Sequence, residues 1–102
     1  MIRIPTHRAP THPGEMLREE FLIPLGLSVS DVARAIHISD EELRTLVDKQ
    51  GHMTPSIALR LAKLFGMSPD FWMNLQLRWD LYHMQRAEHI DLDAIQPLVQ
   101  AA

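Results

Sequence analysis

The chain has 102 residues, no cysteine, 46% hydrophobic residues and a net charge of −3 with the histidines neutral. That length gives one domain with a modest core, and the lack of cysteine excludes disulfides, thiolate nucleophiles and thiolate metal sites. No apolar run approaches the roughly 20 residues that span a bilayer, and MIRIPTHRAPTH lacks the apolar stretch of a signal peptide, so a soluble cytoplasmic setting with no membrane partner is expected.

Residues 1–12 are Pro-rich and polar and read as an extended arm. A first helix is expected from Pro13-Gly14 to about Leu22, with Leu17 and Phe21 on one face and Pro24 as its stop. Ser28 caps a second helix, with Asp31 three residues on. His37 falls in a turn, and Ser39 caps a third helix with Glu42 completing an S-x-x-E box. Thr54-Pro55 opens a fourth helix whose broad apolar face runs from Ile57 to Phe65, closed by Gly66. Ser68-Pro69 opens a longer fifth helix, on which Phe71, Leu75, Trp79 and Tyr82 form one stripe with Trp72 beside it. Residues 87–94 are polar and expected to loosen, with a short last turn near Ile95, Leu98 and Val99. The expected domain layout is an arm over 1–12, a helical domain over 13–86 and a C-terminal tail over 87–102 that is open to helix formation.

The stretch SVSDVARAIHISDEELRTL, residues 28–46, has the layout of a helix-turn-helix. Val32, Ala33 and Ile36 are its first apolar set, Leu43 and Leu46 its second, and Ala33 is small where the helices must cross. Such a unit delivers its second helix to the major groove of DNA. The charge runs the other way. Residues 28–50 carry five acidic side chains against three basic ones, whereas a DNA-binding face is ordinarily basic.

The residues do not point to an enzyme. Ser28, Ser39 and Ser68 are explained as helix caps, and there is no Gly-rich phosphate loop or G-x-S-x-G elbow. His7, His12, His37, His52, His83 and His89 form no H-x-x-x-H or H-E-x-x-H pair, so they read as scattered surface residues with no metal or other cofactor. The adjacent carboxylates Glu19-Glu20 and Glu41-Glu42 diverge by about 100° around a helix, which suits solvent better than a shared proton. The aromatic stripe has two readings, a seal over the core or a contact surface.

The segments HPGEMLREEFLIPLGLSVSDVARAI (residues 12–36) and TPSIALRLAKLFGMSPDFWMNLQLRWDL (residues 54–81) resemble HigA-type antitoxins, the VapI-like branch of the Cro/repressor helix-turn-helix domains. The resemblance implies an all-α, five-helix lambda-repressor-like DNA-binding domain with a C-terminal helical extension, acting as a homodimer. It implies two partners, a double-stranded palindromic operator and a HigB-type mRNA-cleaving toxin. Carried over by motif position, the DNA contacts are Ser28, Ser30, Ser39, Asp40, Glu41, Arg44, Thr45, Lys49, Gln50 and Thr54. Arg44 is the best base reader, because its planar fork matches guanine O6 and N7.

The dimer contact is expected within residues 69–100, through Phe71, Trp72, Leu75, Trp79 and Tyr82, and the toxin contact within residues 1–22. Two departures stand out. Asp40-Glu41-Glu42 put three carboxylates in the first turn of the recognition helix, favourable to its dipole and unfavourable to a polyanion. His37 stands where the family's turn usually has glycine. The alternatives are a toxin-binding or other protein-interaction module with weakened DNA binding, and an orphan regulator without a toxin.

Overall fold

The computed structural model describes residues 9–99, and among them every regular element is a helix. The first, α1, covers residues 13–25 in three parts: Pro13–Leu17, a π-helical Arg18–Leu22, and Ile23–Leu25. It does not stop ahead of Pro24 as the sequence suggests. Proline has no N–H to donate, and its ring collides with the carbonyl four residues back in a regular α-helix. Here Ile23 N–H donates to Arg18 O, so the ladder is already offset by one residue where the proline enters. Gly26 at φ 65° ends the helix, with Leu27 N–H bonded to Leu22 O at 2.9 Å.

The remaining helices are α2 Val29–Ala35, α3 Asp40–Val47, α4 Pro55–Phe65, α5 Pro69–Ala87 and α6 His89–Asp93. Ser28, Ser39, Thr54 and Ser68 each cap a helix by accepting a hydrogen bond from a backbone N–H of its first turn. The reciprocal box forms at Ser28–Asp31, where Ser28 N–H also donates to Asp31 Oδ2 at 3.1 Å and holds that carboxyl below the usual carboxylate range. At Ser39 only the forward half is made, through Glu42 N–H, and the expected Glu42 return bond is not. The C-terminal expectation is reversed: His89–Asp93 is helical and residues 95–97 are not.

The core joins Leu17 and Leu22 of α1 to Val32, Ala33 and Ile36 of the α2 end, Leu43 and Leu46 of α3, and Ile57, Ala58 and Leu61 of α4. Trp72 of α5 closes it and is fully buried, which corrects its assignment to a dimer contact. The inward line of α5 is Trp72 and Gln76, rotated from the stripe the aromatic residues suggest. Beyond Gln76 no described residue is buried. The outer half of α5 and α6 extend from the body, giving overall dimensions of 50 × 25 × 23 Å. Among the described residues no helix is long and apolar enough to cross a membrane.

One contact sets how α1 meets the helix-turn-helix. A Cβ on Gly14 would fall 1.8 Å from Leu46 O and 3.0 Å from Val47 Cα. The first turn of α1 therefore touches the backbone of α3, and only glycine fits. Gly14→Ala is expected to destabilise the fold by about 3 kcal/mol or more, since helix backbones must separate. Urea unfolding against wild type measures it, and a loss below about 1 kcal/mol would show that the two helices yield freely.

Candidate nucleic-acid interface

The turn between α2 and α3 is built from three contacts. His37 takes the left-handed conformation at φ 63°, and Ile38 N–H bonds back to Ala33 O at 3.0 Å. Histidine adopts this backbone at some steric cost. Arg60 of α4 donates Nη1–H to Ile36 O at 2.7 Å, with its Nε–H on Ser56 Oγ. A cation on a terminal carbonyl of α2 complements the helix dipole. Arg60 thus fixes the turn from a third helix. Finally Ser30 Oγ donates to Asp40 Oδ2 at 2.5 Å, tying the start of α2 to the start of α3.

The loop after α3 is held just as closely. His12 is buried, 2% exposed. Its Nδ1 accepts Gly14 N–H at 2.9 Å and caps α1, while its Nε2 meets Gly51 O at 3.2 Å. A carbonyl only accepts, so Nε2 carries the proton and the ring is neutral. The ring stands edge-on to Trp79 with centroids 4.8 Å apart. His12 is therefore no scattered surface residue of an arm. Burial pushes its pKa below the ordinary value; the Gly51 hydrogen bond opposes this, while Lys49 and His52 add to it.

Two residues on, Met53 N–H donates to the buried Gln76 Oε1 at 2.6 Å. Gln76 Nε2 reaches Asp80 Oδ1 at 2.9 Å and His52 Nδ1 at 3.3 Å. None of Arg60, His12 and Gln76 is signalled as structural by sequence, because each partner lies 24, 39 or 23 residues away.

The expected DNA contacts fall on these connected pieces, and most are already engaged. The hydroxyls of Ser28, Ser39 and Thr54 accept cap hydrogen bonds, and Ser30 and Asp40 bond each other. Thr45 Oγ1 donates to Glu41 O at 2.8 Å. Lys49, at φ 64°, pairs with Glu15 Oε1 at 3.1 Å. Gln50 leans on Asp48 O at 3.5 Å, too long for a firm bond. Glu41 and Arg44 remain exposed on α3, opposite its buried Leu43, Leu46 and Val47.

On α5 the expected dimer residues divide. Phe71 packs edge-on to Trp72 at 5.0 Å and is 36% exposed, and Leu75 is partly buried against the core. Trp79 lies on His12 and His83, and Tyr82 carries the Arg86 guanidinium 5.0 Å over its ring. The sequence reading missed the outward row Leu77, Leu81 and Met84, which are 55%, 59% and 54% exposed. Its spacing of four and three residues was the available signal.

No family model matches the chain. It is 43% identical over 82 residues to an uncharacterised HTH-type transcriptional regulator of Haemophilus influenzae, covering 78% of this chain and 77% of that one. It is 32% identical over 93 residues to antitoxin HigA-1 of Vibrio cholerae, covering 91% and 88% respectively. Among solved structures it resembles the Pseudomonas aeruginosa antitoxin HigA with the higBA promoter. The TM-score is 0.84 at 36% identity, over 88% of this chain and 99% of that one.

The buried neutral imidazole has a pH signature. His12 binds its proton more weakly folded than unfolded, so the unfolded chain takes up the proton first. Its contribution is fully present above about pH 6.5 and is lost as pH falls towards the folded pKa. Wild-type stability is expected to fall below pH 6.5 by at most about 1.4 kcal/mol per pH unit from this residue. In His12→Asn, which keeps a cap acceptor and has no titration, that part of the slope should vanish. Unfolding from pH 5 to 8 compares the two, and parallel profiles would remove His12 as the source.

Proposed function

The chain belongs to the HigA family of helix-turn-helix antitoxins, and from that premise we propose that it binds a palindromic operator as a homodimer, represses its own operon and neutralises a HigB-type mRNA-cleaving toxin. Its relatives are antitoxins and transcription regulators, families that are not enzymes. The observation that carries the DNA part is the helix-turn-helix with Arg44 on the exposed side of α3, bonded to no other described side chain. A guanidinium there has the fork that pairs with guanine O6 and N7.

That the similar Pseudomonas aeruginosa HigA structure is one with the higBA promoter supports the operator reading. An exposed α3 needs a second copy, because one short helix reads only a few base pairs. Two such helices enter successive major grooves on one side of DNA when about 34 Å apart. The dimer face we propose is the outer half of α5, through Leu77, Leu81 and Met84, which are exposed; Phe71, Leu75, Trp79 and Tyr82 lie round the helix from that row. Residues 9–22 carry the described part of the proposed toxin contact, and residues 1–8 lie outside the described residues.

Fluorescence anisotropy with a duplex from upstream of the chain's own reading frame tests the operator part, with a scrambled duplex as control. Selective binding with a negative log–log salt slope is expected, and Arg44→Ala should cost about 1–3 kcal/mol at the operator. A folded dimer that treats both duplexes alike at low salt would leave partner binding as the main function.

Leu81→Asp is expected to shift the protein to monomer in analytical ultracentrifugation. It should also weaken operator binding while the helical circular dichroism is kept. An unchanged dimer would move the interface elsewhere.

A further inference from the structure

Glu41 and Arg44 are three residues apart on an eight-residue helix, Asp40–Val47. That spacing makes them neighbours on the helix surface, about 60° apart around the axis. Both are exposed, and neither side chain bonds another described residue. Several side chains around them are withdrawn. Asp40 is held by Ser30, the Thr45 hydroxyl is spent on Glu41 O, and a Cβ on Gly51 would lie 3.2 Å from Thr45 Cγ2, so that methyl faces the loop. Lys49 faces Glu15. Glu42 and Asp48 are exposed as well, but Glu42 lies a further 100° round the helix from Glu41, away from Arg44, and Asp48 stands at the C-terminal cap. Towards the start of α3, the fork of donors on Arg44 thus has Glu41 as its neighbouring pair of acceptors.

The major-groove code says what such a pair fits. Guanine presents two acceptors, O6 and N7, and cytosine presents the N4 amino donor. A carboxylate placed against thymine O4 or against guanine meets only acceptors. Against adenine it gains the N6 amino group but meets N7 beside it. Cytosine alone gives it a donor with no acceptor on the same base's major-groove edge.

We infer that Glu41 and Arg44 act together as a two-residue reading head for a G·C-containing step, Arg44 taking guanine and Glu41 taking the amino group of a cytosine. Glu41 is then a specificity-determining residue and not merely a repulsive one. Its charge costs affinity on every phosphate backbone, and the cytosine contact returns part of that cost at one kind of site. The inference rests on the operator reading above.

Selection from a randomised duplex library, followed by anisotropy on single base-pair variants of the selected sequence, tests it with wild type, Glu41→Ala, Glu41→Gln and Arg44→Ala. Circular dichroism confirms that each is folded. Wild type should select a cytosine close to the guanine that Arg44→Ala relaxes, and replacing that cytosine should cost about tenfold in affinity. Glu41→Ala should flatten preference at the cytosine alone. Glu41→Gln, whose amide donates as well as accepts, should move preference there towards adenine.

The inference is overturned if Glu41→Ala keeps the wild-type base preferences. It is equally overturned if that variant raises affinity for selected and scrambled duplexes by the same factor, since Glu41 then acts through charge alone. Failure of wild type to select any sequence would overturn the operator reading and this inference with it. A selected motif indifferent to Glu41 overturns this inference alone.

Discussion

The fold turns on a contact between two pieces of backbone. Gly14 lies so close to Leu46 O that no side-chain atom fits between α1 and the end of α3. Helices usually meet through side chains, with axes 8–10 Å apart. This approach removes the side-chain layer on one side, so the position of α3 is referred directly to the backbone of α1. His12 completes the joint. It caps the helix that contains Gly14 and reaches the loop that leaves α3. A protonated ring would set an N–H against the Gly14 N–H, so the joint needs the neutral form. The low-dielectric surroundings that favour neutrality come from the same burial. Structure and protonation state are thus one arrangement.

The acidic start of α3 serves two opposed ends. Three carboxylates at the N-terminus of an eight-residue helix each favour the helix by about 0.3–1 kcal/mol through its dipole. That is useful where the helix is too short to be stable alone. The same charges oppose a phosphate backbone. At physiological salt, interactions between exposed charges fade beyond about 8 Å, so the chain's net charge of −3 matters less than the charges at the groove. Of those, Asp40 is turned to accept a hydrogen bond from the Ser30 hydroxyl. Arg44 and Lys49 flank the outward face, Lys49 tethered to Glu15 by an exposed pair that is worth little in water and is readily exchanged. The balance favours discrimination over indiscriminate attraction.

Much of this was legible in the sequence, and what was not has a common cause. Caps at Ser28, Ser39, Thr54 and Ser68 are local, since hydroxyl and backbone N–H are two or three residues apart, so sequence order reveals them. The small Ala33, and Ile36, Leu43 and Leu46, mark the crossing of α2 and α3 because helical period places apolar residues inward. Gln76 and His12 escape such reasoning. A polar side chain buries only when a partner waits for it, and here the partners are backbone groups of a distant loop. Taking the aromatic stripe alone as the guide leaves α5 rotated from its true seat and places Trp72 in the dimer contact, whereas the buried Gln76 sits on the inward line with it. The π-helical turn escaped for the converse reason: Pro24 is a strong stop signal, and only the offset ladder behind it shows how the helix continues.

Backbone strain is concentrated at both ends of the recognition helix. Among the described residues four connections use a left-handed residue, and two of them have glycine, at Gly26 and Gly66. The two that do not, His37 and Lys49, bracket α3. A side chain in that conformation costs on the order of 1–2 kcal/mol, and it persists only where surrounding contacts over-determine it. Those contacts are present on each side. Arg60 grips Ile36 O next to His37, and His12 grips Gly51 O shortly after Lys49. Neither turn relies on its own residue to set the angle. The aim of α3 is therefore imposed by α1 and α4, the helices that form the body of the domain, and the recognition sequence itself is left free to vary in what it presents to a partner.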